Sequence, residues 1–117
     1  RMKLVVTFVL TLLLSMTASA ETGTASWYGP GFHGKRTASG AIFDTHKLTA
    51  AHKYLRLGTK IKVTNLHNNK SVIVLVNDRG PFVKHRELDV SRGAAGALGF
   101  FHSGTARLLI EVLDRRK

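Results

Sequence analysis

The 117-residue sequence contains no cysteine. No disulfide can brace it, although small exported domains often depend on disulfides, and no lipid can be attached to a mature N-terminal cysteine. Acidic residues are also scarce: seven Asp and Glu stand against eighteen Lys and Arg, for a formal net charge of +11. The nucleophile elbow G-x-S-x-G, the phosphate-binding P-loop and the Gly-rich dinucleotide fingerprint are all absent, which removes support for a serine hydrolase, an NTPase or an oxidoreductase. The six histidines (33, 46, 52, 67, 85 and 102) include no pair at the i, i+4 spacing of a helical zinc site. No metal and no cofactor are expected.

Only one long apolar run occurs, Leu4–Met16. Arg1 and Lys3 precede it, and Ala18-Ser19-Ala20 follows with small residues where a signal peptidase reads. This is the pattern of a secretory signal peptide cleaved after Ala20. The run falls short of the roughly 18–20 residues that a bilayer span needs. Residues 1–20 are therefore expected to be a signal peptide. Residues 21–117 are expected to form one exported domain, periplasmic or secreted, monomeric and without a membrane anchor once cleaved. Sixteen basic and seven acidic residues give that domain a charge of +9. Such a charge attracts polyanions. Export turns the expectation away from nucleic acid and toward anionic wall polymers, lipid head groups and acidic sugars. A generic solubilising surface is the competing reading.

Residues 22–28 alternate small or polar with bulkier side chains and read as a strand, ended by Gly29-Pro30-Gly31. Residues 32–44 read as loop, and a short helix is expected around Thr49-Ala50-Ala51-His52. Residues 59–65 alternate, and residues 70–77 are β-branched and nearly all apolar, as in a strand covered on both faces. His67-Asn68-Asn69 between them suits a tight turn. Asp78-Arg79-Gly80-Pro81 breaks the second strand. Glu87 to Val90 reads as a short strand, and Ser91 as the cap of a helix from Arg92 to Leu98 closed by Gly99. From Thr105 to Leu113, Ala106, Leu108, Ile110 and Val112 share one face, and 114–117 reads as a solvated tail. Many short strands with one or two short helices point to a small closed barrel, mainly β.

Glu21 and Asp114 lie near the ends of the domain and read as solvated, as does Glu111 on the outward face of its strand. Asp78 follows an apolar strand. At a barrel mouth, desolvation would raise its pKa and suit it to general-acid work on a glycosidic bond; equally, it can cap the turn by accepting backbone N–H groups. For Asp89 capping is the simpler reading, and Glu87 beside Arg86 reads as an exposed pair. His52 can orient a carboxylate or a sugar, or simply end a polar turn. Trp27 and Tyr28 are neighbours in a strand and face opposite sides, so one can be core and the other can stack on a sugar ring.

These residues fall into an ordered set. Residues 25–29 (ASWYG), 32–40 (FHGKRTASG), 48–52 (LTAAH), 57–59 (LGT), 63–65 (VTN), 76–82 (VNDRGPF) and 88–91 (LDVS) resemble, in order and spacing, the rare lipoprotein A (RlpA) family. The resemblance covers essentially all of residues 21–117. It implies a six-stranded double-psi β-barrel and an endolytic, septal-ring-type lytic transglycosylase, which cleaves peptidoglycan glycan strands, preferably those without stem peptides, to 1,6-anhydro-muramyl ends. It also implies roles for His52 and Asp78, which match two of the family's three activity-linked positions. The third, a Glu after Ser-Gly, is Ala41 here, with Asp44 three residues on. The same barrel occurs in expansins, whose pair of acids looks like Asp78 and Asp89. That supports an alternative: a non-catalytic wall-binding or wall-loosening barrel. A third reading is an inhibitor or interaction module that shares only the fold. On the transglycosylase reading, Asp78 and His52 are the catalytic candidates and Asp44 and Asp89 possible support. Trp27, Tyr28, Lys35, Arg36 and Arg79 are candidates to bind the anionic strand, joined by Lys53 and Arg86.

Overall fold

The computed structural model describes residues 20–114; the expected signal segment up to residue 19 and residues 115–117 lie outside the described residues. Six strands and one helix follow in the order β1 (Ala20–Trp27), β2 (Thr49–His52), β3 (Lys60–Asn65), β4 (Ser71–Arg79), β5 (Leu88–Val90), α1 (Arg92–Leu98) and β6 (Thr105–Asp114). The strands close into a barrel ordered β1-β5-β2-β4-β3-β6. β1–β5 and β2–β4 pair in parallel, and the other four pairings are antiparallel. Among the described residues closure leaves no open sheet edge, and so no row of unpaired backbone groups to template aggregation.

The alternating strands behave as their pattern dictates. Ile61 and Val63 of β3 and Leu108 and Ile110 of β6 enter the core, while Lys60 and Lys62 face water. β4 differs from its sequence expectation. Val74 and Val76 are buried, but Ile73 is 51% and Leu75 36% exposed, so the strand is covered on one face only. A β-branched run favours the extended backbone and does not report which faces are covered; in a closed barrel nothing need lie outside the wall.

The helix expected around Thr49–His52 is instead strand β2, paired with β5 on one side and β4 on the other. Ala is a good helix former, but ladder pairing on both sides outweighs the propensity of a four-residue segment. Likewise β6 runs through Asp114, where a tail was expected. The 65–70 turn does contain a positive φ, 64° at Asn69. α1 matches its sequence reading: the Ala94 N–H donates to Ser91 Oγ, and Gly99 closes the helix in the left-handed region at φ 78°. Its buried residues Ala94, Ala95 and Leu98 join the barrel core.

Candidate active site

Four strands bring the key side chains to one level. Ala51 on β2 stands opposite Asp78 on β4 and opposite Asp89 on β5, and Asp89 in turn stands opposite Ser26 on β1. The backbone positions that carry the two carboxylates therefore flank Ala51, about two strand spacings, or roughly 10 Å, apart along the sheet. Both residues line a groove of about 400 Å³, whose lining also includes Trp27, Tyr28, Gly29, Phe32, Arg79, Pro81, Phe82 and Arg86. Phe82 is 88% exposed and stands as an aromatic plate in the wall.

The two oxygens of Asp78 divide the roles that the sequence left open. Oδ1 accepts the backbone N–H groups of Ala38 and Arg79, both at 2.9 Å. That is the capping role. Oδ2 accepts the Tyr28 hydroxyl at 2.6 Å. Oδ2 thus keeps capacity for a further proton or hydroxyl in the groove. Burial, reinforced by the hydrogen bond to Asp78, pushes the Tyr28 hydroxyl far above its usual range, so it stays protonated and keeps donating. Its ring is stacked on Phe43 at 4.4 Å and meets Phe32 edge-on at 5.4 Å. Trp27 points the other way, its Nε1 donating to Phe101 O at 3.2 Å.

Asp89 is not a cap. It accepts the Ser26 hydroxyl and lies 3.8 Å from Arg86 Nη2, while Ser91 caps α1. Arg86 Nε is buried without a hydrogen-bond partner among the described residues. Glu87, expected to be exposed beside Arg86, is half-buried and accepts the Thr24 N–H at 2.9 Å.

His52 is not part of the groove lining. Its side chain is 1% exposed, and Nδ1 accepts the N–H groups of Tyr54 and Leu55, each at 3.2 Å. This leaves the proton on Nε2, which faces Glu21 Oε2 at 3.3 Å. Glu21 also receives the Tyr54 hydroxyl at 3.0 Å, so it is not the solvated terminal acid that the sequence suggests. The His52 backbone touches the groove indirectly: Arg79 Nη1 donates to His52 O at 3.1 Å and to Leu55 O at 2.7 Å. Burial lowers the His52 pKa, against the opposing pull of Glu21. Below the ordinary imidazole pKa of 6.5 the unfolded chain binds a proton that the folded chain resists. Stability then falls as pH drops through that window. The melting temperature of the wild type is expected to fall more between pH 7 and pH 5 than that of His52→Asn, whose Oδ1 preserves the Nδ1 acceptor. Equal falls would remove His52 as the source.

Of the remaining candidates, Arg36 spends a guanidinium N–H on Gly40 O at 2.8 Å, and Asp44 Oδ1 accepts the His46 N–H at 2.9 Å. Neither they nor Lys35 are part of the groove lining, whereas Lys53 lies beside Pro81, Phe82 and Lys84 in an adjoining hollow. Ala41 is exposed at the end of a turn whose Ala38 and Ser39 N–H groups dock on Asp78 and on Asn77 O. Among the described residues no group of three or more His, Asp or Glu is placed to hold a metal ion.

Solved structures share this barrel. The Streptomyces papain inhibitor superposes with a TM-score of 0.68 at 19% identity, covering 83% of this chain and 96% of that one. The Clavibacter michiganensis expansin superposes at 0.65 with 20% identity, covering 84% of this chain and 52% of that one. At such identities the likeness concerns the fold alone. Sequence relatives are much nearer. The endolytic peptidoglycan transglycosylase RlpA of Campylobacter jejuni is 54% identical over 101 residues, 85% of this chain and 37% of that protein. Its namesake in Pseudomonas aeruginosa is 55% identical over 92 residues, 79% of this chain and 27% of that protein. The chain thus spans roughly a third of the length of these relatives. The profile of the family described as lytic transglycolase matches residues 20–110. This chain belongs to that family, as an RlpA-type double-psi β-barrel.

Proposed function

We propose that the domain is a lytic transglycosylase acting on peptidoglycan glycan strands, preferably those stripped of stem peptides, and leaving 1,6-anhydro-muramyl ends. The observation that carries this reading is Asp78: one oxygen is fixed by two backbone N–H groups, and the other, held by the Tyr28 hydroxyl, lies in an aromatic-walled groove. In the reaction the muramyl C6 oxygen bonds to C1 and the glycosidic bond from C1 to O4 breaks. The 6-hydroxyl proton ends on O4, and no water is consumed. A single carboxyl that begins and ends in the same state can shuttle that proton, so the paired carboxylates of a hydrolase are not required.

The other residues support this step. Phe32 and Phe82 offer faces to sugar rings, and Arg86 stands in the lining beside Asp89. His52 acts as a positioning residue: its imidazole fixes the Tyr54–Leu55 turn, and its carbonyl, with that of Leu55, holds the Arg79 guanidinium. The reading places the domain outside the cytoplasm, periplasmic or released, with residues 1–20 as a cleaved signal peptide and the rest a monomer without an anchor.

A second reading, a wall-binding or wall-loosening barrel without catalysis, is favoured by one feature: Ala41 stands where the family carries Glu. The turn bearing Ala41 docks on Asp78, and residue 41 is exposed, so a longer side chain costs no core packing. Ala41→Glu is therefore expected to raise the yield of anhydro ends about a hundredfold, the lower end of what one positioned acid–base group supplies. Unchanged yield from an active wild type would mean that the site needs no carboxylate there. Glycan binding without product in both proteins would favour the binding barrel.

A further inference from the structure

We infer that the substrate path continues past Trp27 and Gly29 into a second hollow, where Arg92 reads the carboxylate of an acidic sugar; this rests on the transglycosylase reading above. The second hollow has a volume of about 380 Å³ and shares Trp27, Tyr28 and Gly29 in its lining with the Asp78 groove, so the two adjoin. Trp27 and Phe101 form a tilted aromatic pair in its lining, with ring centroids 4.8 Å apart, planes inclined by 31° and the indole N–H anchored on Phe101 O. Arg92 lies over the Phe101 ring, its Cζ 4.7 Å from the centroid, and has no carboxylate partner among the described residues. The ring holds the guanidinium in place without neutralising it. His33, also in the lining, accepts the Thr45 N–H at Nδ1, which assigns its proton to Nε2 as a further donor.

An aromatic wall beside an uncompensated planar cation suits a sugar ring that carries a carboxylate, because a guanidinium fork pairs with carboxylate at two points. In a glycan freed of stem peptides, each muramyl unit exposes a lactyl carboxylate and each alternating glucosamine unit carries none. Arg92 would then set which sugar occupies this position, and so the register in which the strand crosses Asp78. A chitin strand, built of N-acetylglucosamine alone, offers the same rings without the charge.

The test compares the affinity of the protein for a stem-peptide-free muramyl–glucosamine oligomer with its affinity for a chitin oligomer of equal length. Arg92→Gln is expected to lower that preference about tenfold, the scale of one charge-assisted contact. Arg92 is exposed, and an unchanged melting temperature confirms that the variant folds. If the wild type prefers the muramyl oligomer and Arg92→Gln keeps the full preference, the Arg92 subsite is overturned while the transglycosylase reading stands. If the wild type neither binds nor cleaves either oligomer, both fall.

Discussion

Asp78→Asn is expected to reduce formation of anhydro ends by at least about a hundredfold, the contribution of a positioned proton-transfer group, while glycan binding changes little. The isosteric amide can keep its carbonyl oxygen toward the Ala38 and Arg79 N–H groups, so the turn survives. Its NH₂ then faces the Tyr28 hydroxyl, and no group in that place accepts and returns a proton. A loss of cleavage with binding retained separates chemistry from recognition. Activity within a few-fold of the wild type would remove Asp78 from the proton path and leave its capping role as its whole function. The readout is the initial rate of anhydro-end formation beside a pull-down on the same glycan.

Gly93→Ala is expected to lower stability, even though alanine is the better helix former by about 1 kcal/mol. The opposing effect is steric. A Cβ at residue 93 would stand 2.6 Å from His46 O and 3.0 Å from His46 C, and these are backbone atoms that cannot rotate away. The same turn is tied to the helix by the Gly93 N–H on Thr45 O at 2.9 Å and by the Ser91 hydroxyl on Lys47 O. Overpacking of this kind costs about 3 kcal/mol at the upper end. The net loss is about 2 kcal/mol, or roughly 10 °C in melting temperature for a domain of this size. A rise in melting temperature would mean that the 44–47 turn yields freely and that propensity dominates.

The parts of the fold that were readable in the sequence are those fixed by local chemistry. Ser91 and Gly99 bracket α1 because capping needs only residues within one turn, and Asn69 marks its hairpin because few side chains tolerate a positive φ. The parts that were not readable depend on partners far along the chain. β2 becomes a strand because β4 and β5 pair with it from both sides. Glu21 finds His52 across 31 residues, and Glu87 finds Thr24 across 63, so neither could be separated from a solvated acid by its neighbours. Ile73 and Leu75 read as buried because nothing in a run of β-branched residues says which layer is missing. For the candidate site, the Asp78 turn and the Trp27-Tyr28 pair were legible as motifs. The registration of Asp78 and Asp89 on either side of Ala51 follows only from strand pairing. The separation of His52 from the groove arises the same way: its side chain is committed to Glu21 and the Tyr54–Leu55 turn.

The central claim, that the barrel breaks glycan strands by internal attack, is tested most directly by mass spectrometry of stem-peptide-free glycan digested in ¹⁸O-enriched water. The account predicts fragments lighter by one water than ordinary reducing ends, without incorporated label, and absent with Asp78→Asn. Fragments with labelled reducing ends would show hydrolysis, and intact glycan that nevertheless binds the protein would show a wall-binding barrel; either result contradicts the account.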